Sequence, residues 1–330
     1  MSGSAQSKMA GLAPRIAYLP LEPGKPLPAD VLFAVEFGRS AAPVPARCAR
    51  VQLEPLAGAG LVEVWFASGP VQTGFDGPIR FAADGHYLAA AVEVNEADHG
   101  GLAGAFEYAY ASIAKFQATS RYGHLLRIWN YLDAINLGVG DDERYRIFCS
   151  GRSSGLKTLR QERYPAATAI GRRDGSGMLQ VYWLAGLDPG VALENPRQMS
   201  AYNYPREYGP TPPSFSRAML VAPGLLMISG TASIVGHVSQ HPGSAQKQVD
   251  EIFSNLDSLF TRARAQSPAL PPRFGRHTLI KAYVRHAEDL ALVESRLRER
   301  LPEGTPFLVL LGDVCRADLL IEFDCLHAVE

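Results

Sequence analysis

Between residues 15 and about 94 the chain strings together short apolar runs separated by Gly and Pro. The clearest are Val-Leu-Phe-Ala-Val-Glu-Phe (31–37), Leu-Val-Glu-Val-Trp-Phe (61–66) and Tyr-Leu-Ala-Ala-Ala-Val-Glu-Val (87–94). Their lengths and partial alternation predict strands. The period then changes. Over 106–117, Phe106, Tyr110 and Ile113 share one helical face, with Ala109 and Phe116 beside it. The run His-Leu-Leu-Arg-Ile-Trp-Asn-Tyr-Leu (124–132) returns to strand character, and 145–160 reads as a helix despite Gly151 and Gly155.

The second half repeats that order. A strand pair is expected over 218–230 around Ala-Pro-Gly (222–224). An amphipathic helix follows at 245–266, with Val249, Ile252, Phe253, Leu256, Leu259 and Phe260 at three- and four-residue spacing. Next come a strand at 277–285, a helix at 288–300, and closing strands at 306–311 and 319–326. The similar order of strands and helices in each half, with 125–132 corresponding to 279–284, implies a pseudo-duplicated α+β protein. The expected division is a flexible tail at 1–14, an N-terminal α+β domain at 15–165 and a C-terminal catalytic domain at 166–330. Between the repeats, the run 202–217 holds three Tyr, four Pro and two Arg in sixteen residues. Proline at that density prevents helix and central strand. The run reads as a stiff loop that walls a binding site or packs as a linker.

Composition narrows the function. The 330 residues are 47% apolar and 20% charged, which suits a globular protein of two ordinary domains. Lys plus Arg number 32 against 33 Asp plus Glu, so no overall field favours nucleic acid or an anionic membrane. An anionic ligand must be met by local cations. Cys48, Cys149, Cys315 and Cys325 are scattered without a C-x-x-C pair, as expected of free thiols in a reducing compartment. The polar first residues lack a signal peptide's apolar run, and no stretch approaches the about 20 apolar residues of a spanning helix. The expectation is a cytoplasmic protein with no nucleic-acid or membrane partner.

Several residues could carry chemistry. Arg152, Arg217 and Arg316 sit beside loops or turns, and a guanidinium meets a carboxylate with two parallel donors. Tyr145 and Tyr204 would add hydroxyl donors and an apolar wall. Such a set suits a small dicarboxylate with a hydrophobic ring. In Leu-Leu-Ile-Glu-Phe-Asp (319–324), alternation puts Glu322 on the face opposite Ile321 and Phe323. An interior Glu322 would hold its proton near neutrality and serve as a general acid; a solvent-facing one would not. Gly-Arg-Ser-Ser-Gly (151–155) matches a nucleophile elbow, but an elbow needs a strand before it and an oxyanion loop elsewhere. His237 and His241 have the spacing of metal ligands on a helix, yet Gly236, Pro242 and Gly243 predict a loop.

Four long, irregular segments together resemble the chorismatase family. They are Tyr-Arg-Ile-Phe-Cys-Ser-Gly-Arg (145–152), the run 202–217, Ser-Gly-Thr-Ala-Ser-Ile-Val-Gly-His (229–237) with His-Pro-Gly (241–243), and Asp-Val-Cys-Arg-Ala-Asp-Leu-Leu-Ile-Glu (313–322). The likeness runs from about residue 120 onward, and the second half is also similar to the YjgF/RidA fold. The resemblance implies pseudo-duplicated YjgF/RidA-like (chorismate mutase-like) domains, with mixed sheets covered by helices. It implies chorismate as substrate, with Tyr145, Arg152, Tyr204 and Arg217 holding its carboxylates and ring and Glu322 as catalytic acid/base. A Cys at 315 resembles the branch that forms 3-hydroxybenzoate, with or without 4-hydroxybenzoate, plus pyruvate. No metal or organic cofactor is implied, and the assembly would be a monomer or homotrimer. The competing expectations are a hydrolytic chorismatase giving a dihydroxycyclohexadiene carboxylate, a RidA-type imine deaminase and a non-catalytic metabolite-binding module.

Overall fold

The computed structural model describes residues 13–20, 26–40, 44–158 and 164–329. Most of the expected tail at 1–14 lies outside them. One strand order occurs twice. The first unit runs through strands Gln72–Asp76, Ile79–Ala83 and Tyr87–Asn95, helix α1 (Leu102–Thr119), strand His124–Asp133, helix α2 (Arg144–Gly155), and strands Ala166–Arg172 and Met178–Gly186. The second runs through Val191–Leu193, Ala218–Ala222, Leu225–Ala232, helix α3 (Ala245–Gln266), Thr278–Val284, helix α4 (Leu290–Arg300), Phe307–Leu311 and Ile321–Ala328.

In each sheet the last strand of the unit inserts between the hairpin and the crossover pair. Met178–Gly186 is antiparallel to both Tyr87–Asn95 and His124–Asp133; Ile321–Ala328 is antiparallel to both Leu225–Ala232 and Thr278–Val284. The parallel pair of each sheet is joined across α2 or α4, as a crossover requires. The pseudo-duplicated α+β architecture is therefore built into the pairing, and His124–Asp133 corresponds to Thr278–Val284 as the order of elements implies.

The core is layered. Phe106, Ala109, Tyr110 and Ile113 of α1 pack on one face of the first sheet, and Val249, Ile252, Phe253, Leu256, Leu259 and Phe260 of α3 cover the second. Each of the larger α3 side chains is buried and contributes about 1.5–3 kcal/mol. The inner faces meet in a third cluster that includes Trp129, Tyr131, Tyr182, Met227 and Tyr283. A four-stranded N-terminal sheet (Ile16–Pro20, Val31–Phe37, Cys48–Val51, Leu61–Phe66) closes this cluster with Phe33, Val35 and Trp65. Strand Pro55–Ala57 leaves that layer and pairs with Phe307–Leu311 at the edge of the second sheet.

Three features depart from or sharpen the expectations. The helix expected over 145–160 ends at Gly155 and continues as a single 3-10 turn, Leu156–Thr158; residues 159 and 160 lie outside the described residues. Gly151 and Gly155 are not elbow residues. A Cβ on Gly151 would lie 2.7 Å from Phe106 Cβ and one on Gly155 would overlap Tyr110, so these glycines let α2 press against α1. Finally, Ala166–Arg172 and Met178–Gly186 join the first sheet, which takes in residues on both sides of 165/166. Ala166, Ala167, Ala169 and Gly171 give the first of these strands low β-propensity, so its sequence pattern is faint.

Candidate active site at the seam between the units

Edge strand Ala166–Arg172 of the first sheet runs against the second unit. Isolated bridges join Ala166 to Ser216 and Gly171 to Asp313, and Ala167 N–H donates to Ser229 Oγ at 2.9 Å. Above this seam, α2 and the 202–217 loop enclose a cavity of about 490 Å³. Tyr145, Arg152, Tyr204, Arg217, Cys315 and Glu322 all line it, as does Arg316. The residues that sequence reasoning singled out are thus brought together from three distant stretches of chain.

Glu322 follows from strand alternation. Ile321, Phe323 and Cys325 enter the cluster under α3, so Glu322 and Asp324 point the other way. Glu322 is 5% exposed. Burial and then the Asp324 charge push its carboxyl pKa up to about 8, against the opposing pull of Arg127 and Arg217. Its room comes from Gly230 on the neighbouring strand, where a Cβ would overlap Glu322 Oε1. A carboxylic acid in this setting can hold and deliver a proton at neutral pH.

The cations have unused donors. Arg152 is buried, its guanidinium carbon lies 5.5 Å from the Tyr110 ring centre, and its Nε and one Nη have no hydrogen-bond partner. Arg217 Nη2 donates to Met199 O and to Tyr204 Oη, both at 2.7 Å, while its Nε is unpartnered. Arg316 stacks 4.0 Å from the Tyr208 ring centre and donates to His237 O at 2.8 Å, leaving Nη2 free. Buried guanidinium groups with open donors are costly unless an anion completes them. The cavity is therefore suited to a small polyanion.

The remaining wall is apolar or weakly polar. Burial raises the Tyr145 hydroxyl pKa, with the Cys149 and Cys315 thiols contributing, and pushes the Cys315 thiol up to about 12. Cys315 is accordingly a neutral thiol rather than a nucleophile. Ala167, Phe148, Phe215 and Ile234 keep much of the remaining surface apolar. Ser153 of the elbow-like motif does not line the cavity, because α2 is a helix where an elbow needs a strand. His237 meets Tyr208 and Glu207, whereas His241 sits in a left-handed turn beside Glu251. Among the described residues no cluster of His, Cys, Asp or Glu could hold a metal ion.

Sequence reasoning missed Thr168, Tyr208, Ser214, Phe215 and the part played by Gly230. Tyr208, Ser214 and Phe215 lie in the loop already marked by its composition, so that signal was present. Thr168 is on the faint strand, and the demand on Gly230 arises only when Glu322 is placed beside it.

The N-terminal model of the FkbO/Hyg5-like chorismatases matches residues 63–185, a span close to the first unit. A 3-hydroxybenzoate synthase from Streptomyces hygroscopicus is 34% identical over 275 residues, which cover 79% of this chain and 80% of that protein. A chorismatase from Streptomyces rapamycinicus is 34% identical over 281 residues, again covering 79% and 80%. The crystal structure of a chorismatase superposes with a TM-score of 0.84 at 31% identity, covering 96% of this chain and 98% of the other. A member of the YjgF family from Neisseria meningitidis aligns with 35% of this chain at a TM-score of 0.27, too partial to bear on function. The chain belongs to the chorismatase family of enzymes. Among the described residues no helix is long and apolar enough to cross a membrane.

Proposed function

We propose that the chain converts chorismate to 3-hydroxybenzoate and pyruvate, with Glu322 as the acid that starts the reaction. The observation that carries this reading is the meeting of Glu322, its proton retained to about pH 8, with Arg152 and Arg217 in one cavity. Chorismate carries two carboxylates, and two guanidiniums with open donors match them. Tyr204 orients Arg217, and Tyr145 lies against the ring. Holding the substrate in this way converts proton transfer into an intramolecular event, a large part of the rate.

In the proposed sequence, Glu322 gives its proton to the terminal methylene carbon of the enolpyruvyl ether, forming an oxocarbenium ion. The ring C–O bond then breaks, and its electron pair stays on the oxygen that becomes the ketone of pyruvate. The neighbouring ring hydroxyl oxygen bonds to that ring carbon and loses its proton to the Glu322 carboxylate, so that it bridges two ring carbons. Its original C–O bond then breaks, and the hydrogen on the accepting carbon moves to the neighbouring carbon or is exchanged, leaving the aromatic phenol. One proton goes in and one comes out, so no water is consumed. The apolar wall and neutral Cys315 favour this course over capture by water. We place Cys315 as the product-determining residue on that ground.

The test is purified protein with chorismate, products separated by chromatography and identified by mass and ultraviolet spectrum. A hydroxybenzoate and pyruvate are expected in equal amounts. A non-aromatic diol would overturn the product, and Glu322→Gln with unchanged pyruvate release and an intact fold would overturn the mechanism. Cys315→Ala should raise the share of non-aromatic product.

A further inference from the structure

Directly behind Glu322 lies a buried polar cluster that the proposed chemistry does not use. Asp324 is two residues along the same strand and on the same face, about 6–7 Å away by strand geometry. It is 1% exposed. Its Oδ2 accepts from Tyr283 Oη at 2.9 Å, Trp129 Nε1 at 3.1 Å and Thr168 Oγ1 at 3.2 Å. Lys281 Nζ stands 3.7 Å from Oδ1, and Arg127 Nη2 stands 3.5 Å from Oδ2. Lys281 is shared with the N-terminal sheet: its Nζ lies 2.8 Å from Glu63 Oε2, while Trp65 Nε1 holds Glu63 Oε1 at 2.8 Å.

We propose that Asp324 is a positioning residue for Glu322, a buried carboxylate held by both large sheets and linked through Lys281 to the N-terminal one, whose charge keeps the neighbouring acid in its proton-bearing form. The inference rests on the acid role given to Glu322 above. Charge counting supports it. Lys281 and Arg127 are matched by Asp324 and Glu63, so the cluster is neutral and has no spare cation for a further carboxylate. An ionised Glu322 would add an unmatched charge in a region of low polarity.

The groups that face Glu322 are few. Arg127 comes from His124–Asp133, Arg217 precedes Ala218–Ala222, Tyr145 comes from α2, and Cys315 from the segment before the closing strand. Strand Leu225–Ala232 presents Gly230 and Ala232, neither of which titrates, and Tyr283 lies opposite in register on Thr278–Val284. Arg127 and Arg217 favour the ionised acid, but Arg127 is engaged with Ile128 O, Thr168 and Asp324, and Arg217 with Met199 O and Tyr204 Oη. Asp324 and burial act together in the other direction.

The experiment is the pH profile of kcat/KM for Asp324→Asn beside the parent protein and Glu322→Gln. A protonated acid is required, so activity falls as pH rises through its pKa. Removing the Asp324 charge should move that basic limb down by about one pH unit. The resulting loss is about eight-fold at pH 8.5 and slight at pH 6. A uniform loss at every pH, with the limb unmoved, would mean that Asp324 only packs and would overturn the proposal. Should Asp324→Asn fail to fold, Glu63→Gln removes the far anion of the same balance. A smaller shift in the same direction is then expected, and an unmoved limb again overturns the proposal. Glu322→Gln separates the two claims: retained pyruvate release there refutes the acid role itself, whatever Asp324 does.

Discussion

Strands Met178–Gly186 and Ile321–Ala328 occupy the same place in their two sheets, and their side chains have opposite fates. Gln180 lies opposite Tyr131, and Glu322 lies opposite Tyr283 in the corresponding register. Gln180 is saturated. Its Oε1 accepts from Arg172 at 2.9 Å and Gln52 N–H at 3.3 Å, and its Nε2 donates to Arg50 O at 2.7 Å and Glu93 at 3.2 Å. The N-terminal sheet covers it and leaves no space. Glu322 instead faces the seam, where Gly230 and the cavity leave room for a ligand. Strand order alone therefore does not make a site. What covers the central strand decides whether the side chain there is a structural hub or a reagent.

The comparison can be broken most severely at Gly230. Gly230→Ala puts a methyl group where Glu322 Oε1 lies, and a displacement near 1 Å should lower kcat by about 100-fold. Steady-state kinetics with a circular dichroism check of the fold measures it. Next in size, Arg152→Lys replaces a two-donor fork with a point charge and should cost about ten-fold or more in kcat/KM, expressed mainly as a higher KM. Raising the pH from 7 to 9 carries the parent protein through the Glu322 pKa of about 8. Its kcat/KM should then fall by about ten-fold, because the proton-bearing form is lost as pH rises. The smallest effect on chemistry belongs to the other sheet. Gln180→Glu loses two donors to Arg50 O and Glu93 and should destabilise the fold by about 1–3 kcal/mol, with kcat unchanged. Thermal unfolding and kinetics together check it, and a lowered kcat there would mean that the two strands are less independent than their coverings suggest.

The sequence showed the site more readily than the seam. Alternation around Glu322, the Tyr/Pro/Arg density of 202–217 and the stripe of α3 are periodic or compositional signals, and each corresponds to a local physical cause. Lys281 is the opposite case. In Thr-Leu-Ile-Lys-Ala-Tyr-Val (278–284) it interrupts an apolar run, and Glu63, far off in the chain, Asp324 and the Tyr182 hydroxyl explain how an ammonium is tolerated there. Thr168 was hidden for another reason: a strand of small residues has little pattern, and its worth lies in how closely it lets the second unit approach. Long-range charge balance and close backbone approach leave almost no trace in a local window.

Strand Pro55–Ala57 has a consequence for how the protein is made. Its pairing partner Phe307–Leu311 leaves the ribosome long after it, as does Lys281, the mate of Glu63. The early layer must wait with open backbone donors and a lone buried acid until the carboxyl-terminal sheet arrives, so nascent chains should be vulnerable to sticking together during that interval. Starting synthesis downstream of residue 66 would not liberate a smaller working enzyme; it would take from an interior ammonium its nearest carboxylate.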